Sequence, residues 1–173
     1  MTAVETIGEL FASPAARDHL GEPVPIGEHM RQAGALAEAA GAEGALVAAA
    51  LLHDIGHLLG DSTEDRHGEA GARWLSQWFG TTVTEPVRLH VPAKRYLTGA
   101  DADYLGLLSA ESVRTLSLQG GPMTAAEVTA FEELPFSRDA MAVRRWDDQA
   151  KDPTVTAPPF AHFAPLLEPL VRS

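Results

Sequence analysis

At 173 residues without a cysteine, the chain is long enough to bury a core without disulfides and has no thiolate for a zinc knuckle or a nucleophile. A formal net charge of −11 argues against a nucleic-acid partner, which needs clustered Lys and Arg, and requires local cations or a metal to draw in any anionic ligand. The longest apolar run, residues 45–52, is far too short for a membrane span, and Met1-Thr2-Ala3-Val4-Glu5 lacks the basic start of a secretion signal, so a cytoplasmic protein with no membrane partner is expected.

The periodicity is helical nearly throughout, with no run of alternating strand residues. Thr2-Ala3-Val4-Glu5 reads as a capping box opening a first helix that fades near Ser13-Pro14. Residues 14–26, with Gly21, Pro23 and Pro25, read as an irregular loop. An amphipathic helix follows over Gly27–Ala40, closed by Gly41, and a more apolar one over Gly44–Leu59, closed by Gly60. Asp61–Arg66 is a polar surface loop and His67–Phe79 a helix ending at Gly80. Thr84 is placed to cap a helix running to about Leu97. Ser109–Leu118 is a short helix, Thr124-Ala125-Ala126-Glu127 a second capping box, and Ser137–Lys151 the last long helix before a Pro-rich tail. With no internal repeat or linker, the expectation is one all-α domain over residues 1–173, its helices converging on one buried site.

The residues that point to chemistry begin with His53-Asp54, at the end of the apolar run. An ionised aspartate beside a histidine is costly to bury there, and a metal ion that takes both is the usual remedy. His29, His67, His90 and Asp147 also lie on predicted helices or at their ends. Four histidines and two aspartates exceed the common needs of one ion, which suggests two metals bridged by the Asp54 carboxylate. Nitrogen and oxygen donors without sulfur suit iron, manganese or zinc. Plainer readings exist singly: His162 as a surface residue, His19 as a solvated or a site residue, His67 as a helix-start residue, and His53-Asp54-Ile55-Gly56-His57 as a structural ion-pair cluster. Against them, His29, His53, His90 and Asp147 all interrupt core-facing periodicity.

Helical spacing also supplies an anion cradle. Lys94 is four residues after His90, Arg144 three before Asp147, His57 four after His53, and Ser112 and Thr115 share one face. Two cations, two hydroxyls and an imidazole beside a dinuclear centre suit a tetrahedral dianion. The competing reading is salt bridging, with Lys94 paired to a surface carboxylate and Arg144 to Asp148.

On these residues the chain resembles the HD-domain superfamily, whose His…His-Asp…Asp signature is matched by His29, His53-Asp54 and Asp147, across roughly residues 19–151. It is further similar to the small diiron HD oxygenases of phosphonate degradation, the 2-amino-1-hydroxyethylphosphonate dioxygenase type. The segments that carry this are Gly21-Glu22-Pro23-Val24, Glu28-His29-Met30, Leu51-Leu52-His53-Asp54-Ile55-Gly56-His57, residues 85–96 around His90 and Lys94, Leu118-Gln119-Gly120-Gly121-Pro122-Met123, and Arg144-Arg145-Trp146-Asp147-Asp148. The resemblance implies an HD-domain helical bundle around two iron ions (Fe2+/Fe3+) with O2 as co-substrate. His29, His53, Asp54 and Asp147 would hold the first iron, and Asp54, His67 and His90 the second, with open positions. The substrate would be a 1-hydroxyalkylphosphonate of the 2-amino or 2-trimethylammonio type, split at its C–P bond into a carboxylic acid and inorganic phosphate. Its phosphonate would meet His57, Lys94, Ser112, Thr115 and Arg144, with His57 and Lys94 as the catalytic contacts. Where the family has a gating tyrosine this chain has His19, which either caps the second iron or swings free. Glu22 is either a partner for a substrate ammonium or a plain loop carboxylate. Rival readings are a metal-dependent HD phosphohydrolase acting on a small phosphate ester or nucleotide, and a metal-stabilised binding module.

Overall fold

The apolar run of residues 45–52 decides how the chain packs, because a helix hydrophobic all round has to be covered on every side. The computed structural model describes residues 1–60, 63 and 65–172. There, α3 (Gly44–Leu52) is the central rod, with Ala48–Leu52 fully enclosed. Burying leucines such as Leu51 and Leu52 stabilises the fold by about 1.5–3 kcal/mol each. Around it pack α2 (Ile26–Ala39), α6 (Thr81–Ala100) and α9 (Ser137–Gln149), with α6 also packed on α5 (His67–Leu75) and α9. The first helix, α1 (Ala3–Ala12), opens on the predicted capping box: the Thr2 hydroxyl accepts from the Glu5 N–H and the Glu5 carboxylate accepts from the Thr2 N–H at 2.7 Å. The short α4 (Ile55–Leu58), α7 (Ala110–Leu118) and α8 (Ala125–Glu132) complete the layer, and α8 opens on the second predicted capping box. Among the described residues there is no strand, and no helix is long and apolar enough to cross a membrane.

The observed elements depart from the expected ones at six places, one of them the helix expected over His67–Phe79, which ends at Leu75 and continues as turns. The apolar helix expected over residues 44–59 breaks at His53-Asp54, where Asp54 leaves helical geometry (φ −101°, ψ 12°) and redirects the chain into α4. Thr84 caps nothing, because α6 starts after Gly80 and continues through Pro86 and Pro92 to Ala100. The loop expected over residues 14–26 contains a single 3-10 turn, Pro14–Arg17. The last long helix stops at Gln149 rather than Lys151, since Ala150 turns out of it (ψ 42°). The Pro-rich tail is not irregular throughout: it forms α10 (Phe160–Leu167), which seals Phe163 and Leu167 against α1 and α3. Of the surface loop expected at Asp61–Arg66, Asp61, Ser62 and Glu64 lie outside the described residues.

Candidate metal centre and pocket

All six predicted ligands are buried, and the fold brings them together as two groups: His29, His53 and Asp147, and Asp54, His67 and His90. Within each group one ligand atom per residue lies within 4.8 Å of the others. Six helices contribute or flank these side chains. His29 comes from α2, His90 from α6 and Asp147 from α9. His53 and Asp54 come from the break after α3, and His67 from the start of α5. Asp54 lies between the groups. Its Oδ2 is 3.4 Å from His29 Nε2 and 3.3 Å from His53 Nε2, while its Oδ1 is 3.1 Å from His67 Nε2 and 3.3 Å from His90 Nε2. Asp147 Oδ1 approaches His29 Nε2 at 3.2 Å, and its Oδ2 approaches His53 Nε2 at 3.6 Å.

The histidine tautomers test whether this arrangement fits a metal. His29 Nδ1 lies 2.8 Å from the Ala150 carbonyl, His53 Nδ1 2.8 Å from that of Ala50, and His90 Nδ1 2.7 Å from that of Val87. A carbonyl only accepts, so these Nδ1 atoms carry the protons and the Nε2 lone pairs face inward. His29 and His53 bring their Nε2 atoms to 3.1 Å, where two bare lone pairs would repel, so a cation, either a proton or a metal ion, has to stand there. His67 and His90 bring their Nε2 atoms equally close, at 3.0 Å. The donor set therefore fits two cations sharing the Asp54 carboxylate. Electrostatics agrees in direction. Burial opposes charge on the carboxyls of Asp54 and Asp147, yet His53 and the other imidazoles around Asp54, and the Arg144 guanidinium beside Asp147, hold both well below the usual carboxylate range. Burial also opposes a proton on His29, but Asp147 and Asp54 outweigh it and push its pKa up to about 10. On His90 burial prevails over Asp54, and its pKa falls to about 4. A site that draws a proton to one imidazole between two carboxylates is a site that draws a cation.

A pocket opens beside the centre, lined among others by His57, Lys94, Ser112, Thr115 and Arg144, so the expected anion-binding residues do converge. The Lys94 ammonium is buried and donates to Thr115 Oγ1 at 2.8 Å and to the Ser112 carbonyl at 3.3 Å. Burial, with Arg144 nearby, lowers its pKa to about 7. His57 stacks on His67 with ring centroids 4.1 Å apart, and burial lowers its pKa to about 4, so it is neutral at pH 7. Arg144 is engaged within its own helix: Nη1 meets Asp147 at 2.7 Å, Nε meets Asp148 at 3.1 Å, and Asp148 also accepts from Tyr104 at 2.6 Å. The salt-bridge reading of Arg144 is thus realised, and the residue still borders the pocket. His19 reaches the pocket rim, where its Nδ1 lies 3.1 Å from the Glu22 carbonyl, and joins neither ligand group. Glu22 is not a solvated loop carboxylate: its Oε1 accepts from Lys151 at 2.8 Å and from Ser109 at 2.7 Å. Lys151, which also donates to Ser112 Oγ at 2.8 Å, was not among the predicted site residues. Its signal was present, four residues beyond Asp147, the same interval that separates Lys94 from His90.

Three relationships to known proteins bear on this site. The HD domain family model matches residues 26–147, which spans the ligands from His29 to Asp147. The chain is 43% identical to a [1-hydroxy-2-(trimethylamino)ethyl]phosphonate dioxygenase (glycine-betaine-forming) of Leisingera caerulea, over 97% of this chain and 90% of that protein. It is 48% identical to a hydroxymethylphosphonate dioxygenase of Gimesia maris, over 72% of this chain and 66% of that protein.

Proposed function

The chain belongs to the HD domain family, and from that premise we propose that it is a diiron oxygenase that cleaves the C–P bond of a 1-hydroxyalkylphosphonate. The observation that carries the proposal is the Asp54 carboxylate, set between two converging ligand groups with an anion pocket opening alongside. The dioxygenase names of the two relatives support the same reading. In the net reaction, R–CH(OH)–PO3(2−) and O2 give R–COO(−), HPO4(2−) and one proton. The C–H and C–P bonds of C1 break, and that carbon is oxidised while O2 is reduced.

His29, His53 and Asp147, with one oxygen of Asp54, would hold the first iron; the other Asp54 oxygen, His67 and His90 would hold the second. Bound there, the iron pair supplies the redox chemistry that O2 activation requires and that no protein side chain offers. The chain's own residues bind and orient. Lys94 brings a charge-assisted donor to the phosphonate, and Thr115, which already accepts from Lys94, keeps that ammonium aimed inward. His57, held neutral by burial, adds a ring N–H without a second charge. Arg144 fixes Asp147 through its 2.7 Å ion pair and borders the phosphonate end of the pocket. Val24 and Ile26 line the same cavity with apolar surface that limits water.

The test is phosphate release from a 1-hydroxyalkylphosphonate by iron-loaded protein, with O2 uptake followed in parallel. One phosphate per O2 is expected, and none under argon. Release that persists without oxygen would assign the site to hydrolysis instead.

A further inference from the structure

Both carboxylates at the outer end of the pocket are already matched with cations of the chain itself. Glu22 pairs with Lys151 at 2.8 Å, with side chains only 15% and 11% exposed, and Glu111 pairs with Arg114 at 2.5 Å. Lys151 is held from three sides, by Glu22 Oε1, Ser112 Oγ and Ser109 Oγ, so the ammonium is part of the pocket wall rather than a surface charge. A substrate ammonium arriving at Glu22 would share that carboxylate with Lys151, bringing two cations together in a half-buried setting where like charges are costly. A quaternary ammonium has a second route to affinity, through the faces of aromatic rings. None of the described residues lining this pocket is Phe, Tyr or Trp.

We infer that Lys151 is a specificity-determining residue, and that the pocket selects a 1-hydroxyalkylphosphonate whose 2-position carries no cation: hydroxymethylphosphonate or a small uncharged homologue. This rests on the oxygenase reading above and narrows it, and it departs from the substrate named for the relative that matches the larger share of the chain.

The experiment compares hydroxymethylphosphonate with 2-ammonio- and 2-trimethylammonio-1-hydroxyethylphosphonate on iron-loaded protein, by turnover and by calorimetric titration under argon. For the wild type, kcat/KM and 1/Kd are expected to favour hydroxymethylphosphonate at least tenfold over either cationic compound. In Lys151→Met, which leaves the Glu22 carboxylate unpaired, that preference over the 2-ammonio compound is expected to fall at least tenfold. Lys151→Gln, which keeps a donor toward Glu22 and Ser112, gives the same comparison if the methionine variant folds poorly. Equal or better binding of a cationic compound by the wild type would overturn the inference, as would an unchanged preference in folded Lys151 variants. Binding in the expected order without turnover of any compound would leave the inference standing and sink the oxygenase reading.

Discussion

At the scale of single residues, Lys94 has the most exposed consequences. Among the described residues this buried ammonium donates to the Thr115 hydroxyl and the Ser112 carbonyl and forms no ion pair with a carboxylate, so its charge faces the pocket. A charge-assisted hydrogen bond is worth about 1.5–3 kcal/mol, so Lys94→Ala should raise KM by roughly 10- to 100-fold. Metal analysis should still find two ions per chain; loss of metal would make Lys94 a structural residue. The sign of the pH effect follows from its lowered pKa of about 7. The ammonium is present below that value and lost above it. The ratio of variant to wild-type KM should therefore shrink between pH 6 and pH 9, a comparison that cancels the ionisation of the substrate itself. At this scale much was legible in the sequence. His29, His53, His90 and Asp147 stand out because each places polarity where the helical period calls for a core residue. Lys151 did not stand out, because a lysine at a helix end next to Asp152 looks like any solvated terminus. Only the fold, which carries the loop with Glu22 to it, makes it part of the pocket.

At the scale of elements, the second ligand group depends on how closely α4 and α5 cross. A Cβ at Gly56 would sit 2.1 Å from the His67 carbonyl oxygen, so a side chain there must push α5, and the His67 imidazole with it, away from Asp54. Gly56→Ala should lower the melting temperature by about 5 °C or more, from an overpacking cost of about 1–3 kcal/mol, and should deplete the second metal. Gly80→Ala is the control, since a Cβ there meets nothing within 4 Å, and it should retain both ions. His67→Ala should deplete the second metal selectively while leaving the first; unchanged metal content would remove His67 from the ligand set. The crossing itself was not readable from the sequence. The polar pair His53-Asp54 marks a ligand in the pattern from Gly44 to Leu59, but apolar residues resume at Ile55 and Leu58, and nothing there reports the turn at Asp54 that creates α4. The same limit applies to α10, which Pro158 and Pro159 precede and Pro165 interrupts, so that it reads as a tail although Phe163 and Leu167 face the core.

At the scale of the whole molecule, two buried carboxylates and four inward-facing imidazoles converge at the centre of a chain carrying a net charge of −11. These donors converge on shared points that only cations can satisfy together, so metal binding and folding are thermodynamically linked. Ferrous ion at a thousand times its Kd contributes about 4 kcal/mol by mass action, which for a chain of this size corresponds to a melting temperature roughly 10 °C higher. Calorimetry of protein stripped with a chelator should show that drop, and ferrous salt added under argon should reverse it; an unchanged transition would contradict the linkage. His53 serves one ligand group, and its chain neighbour Asp54 reaches from that group to the other. A lone amide link is thus the ruler between the two centres. Bending the backbone torsions at that link would therefore shift one set of donors against the other, even with the outer helices left in place.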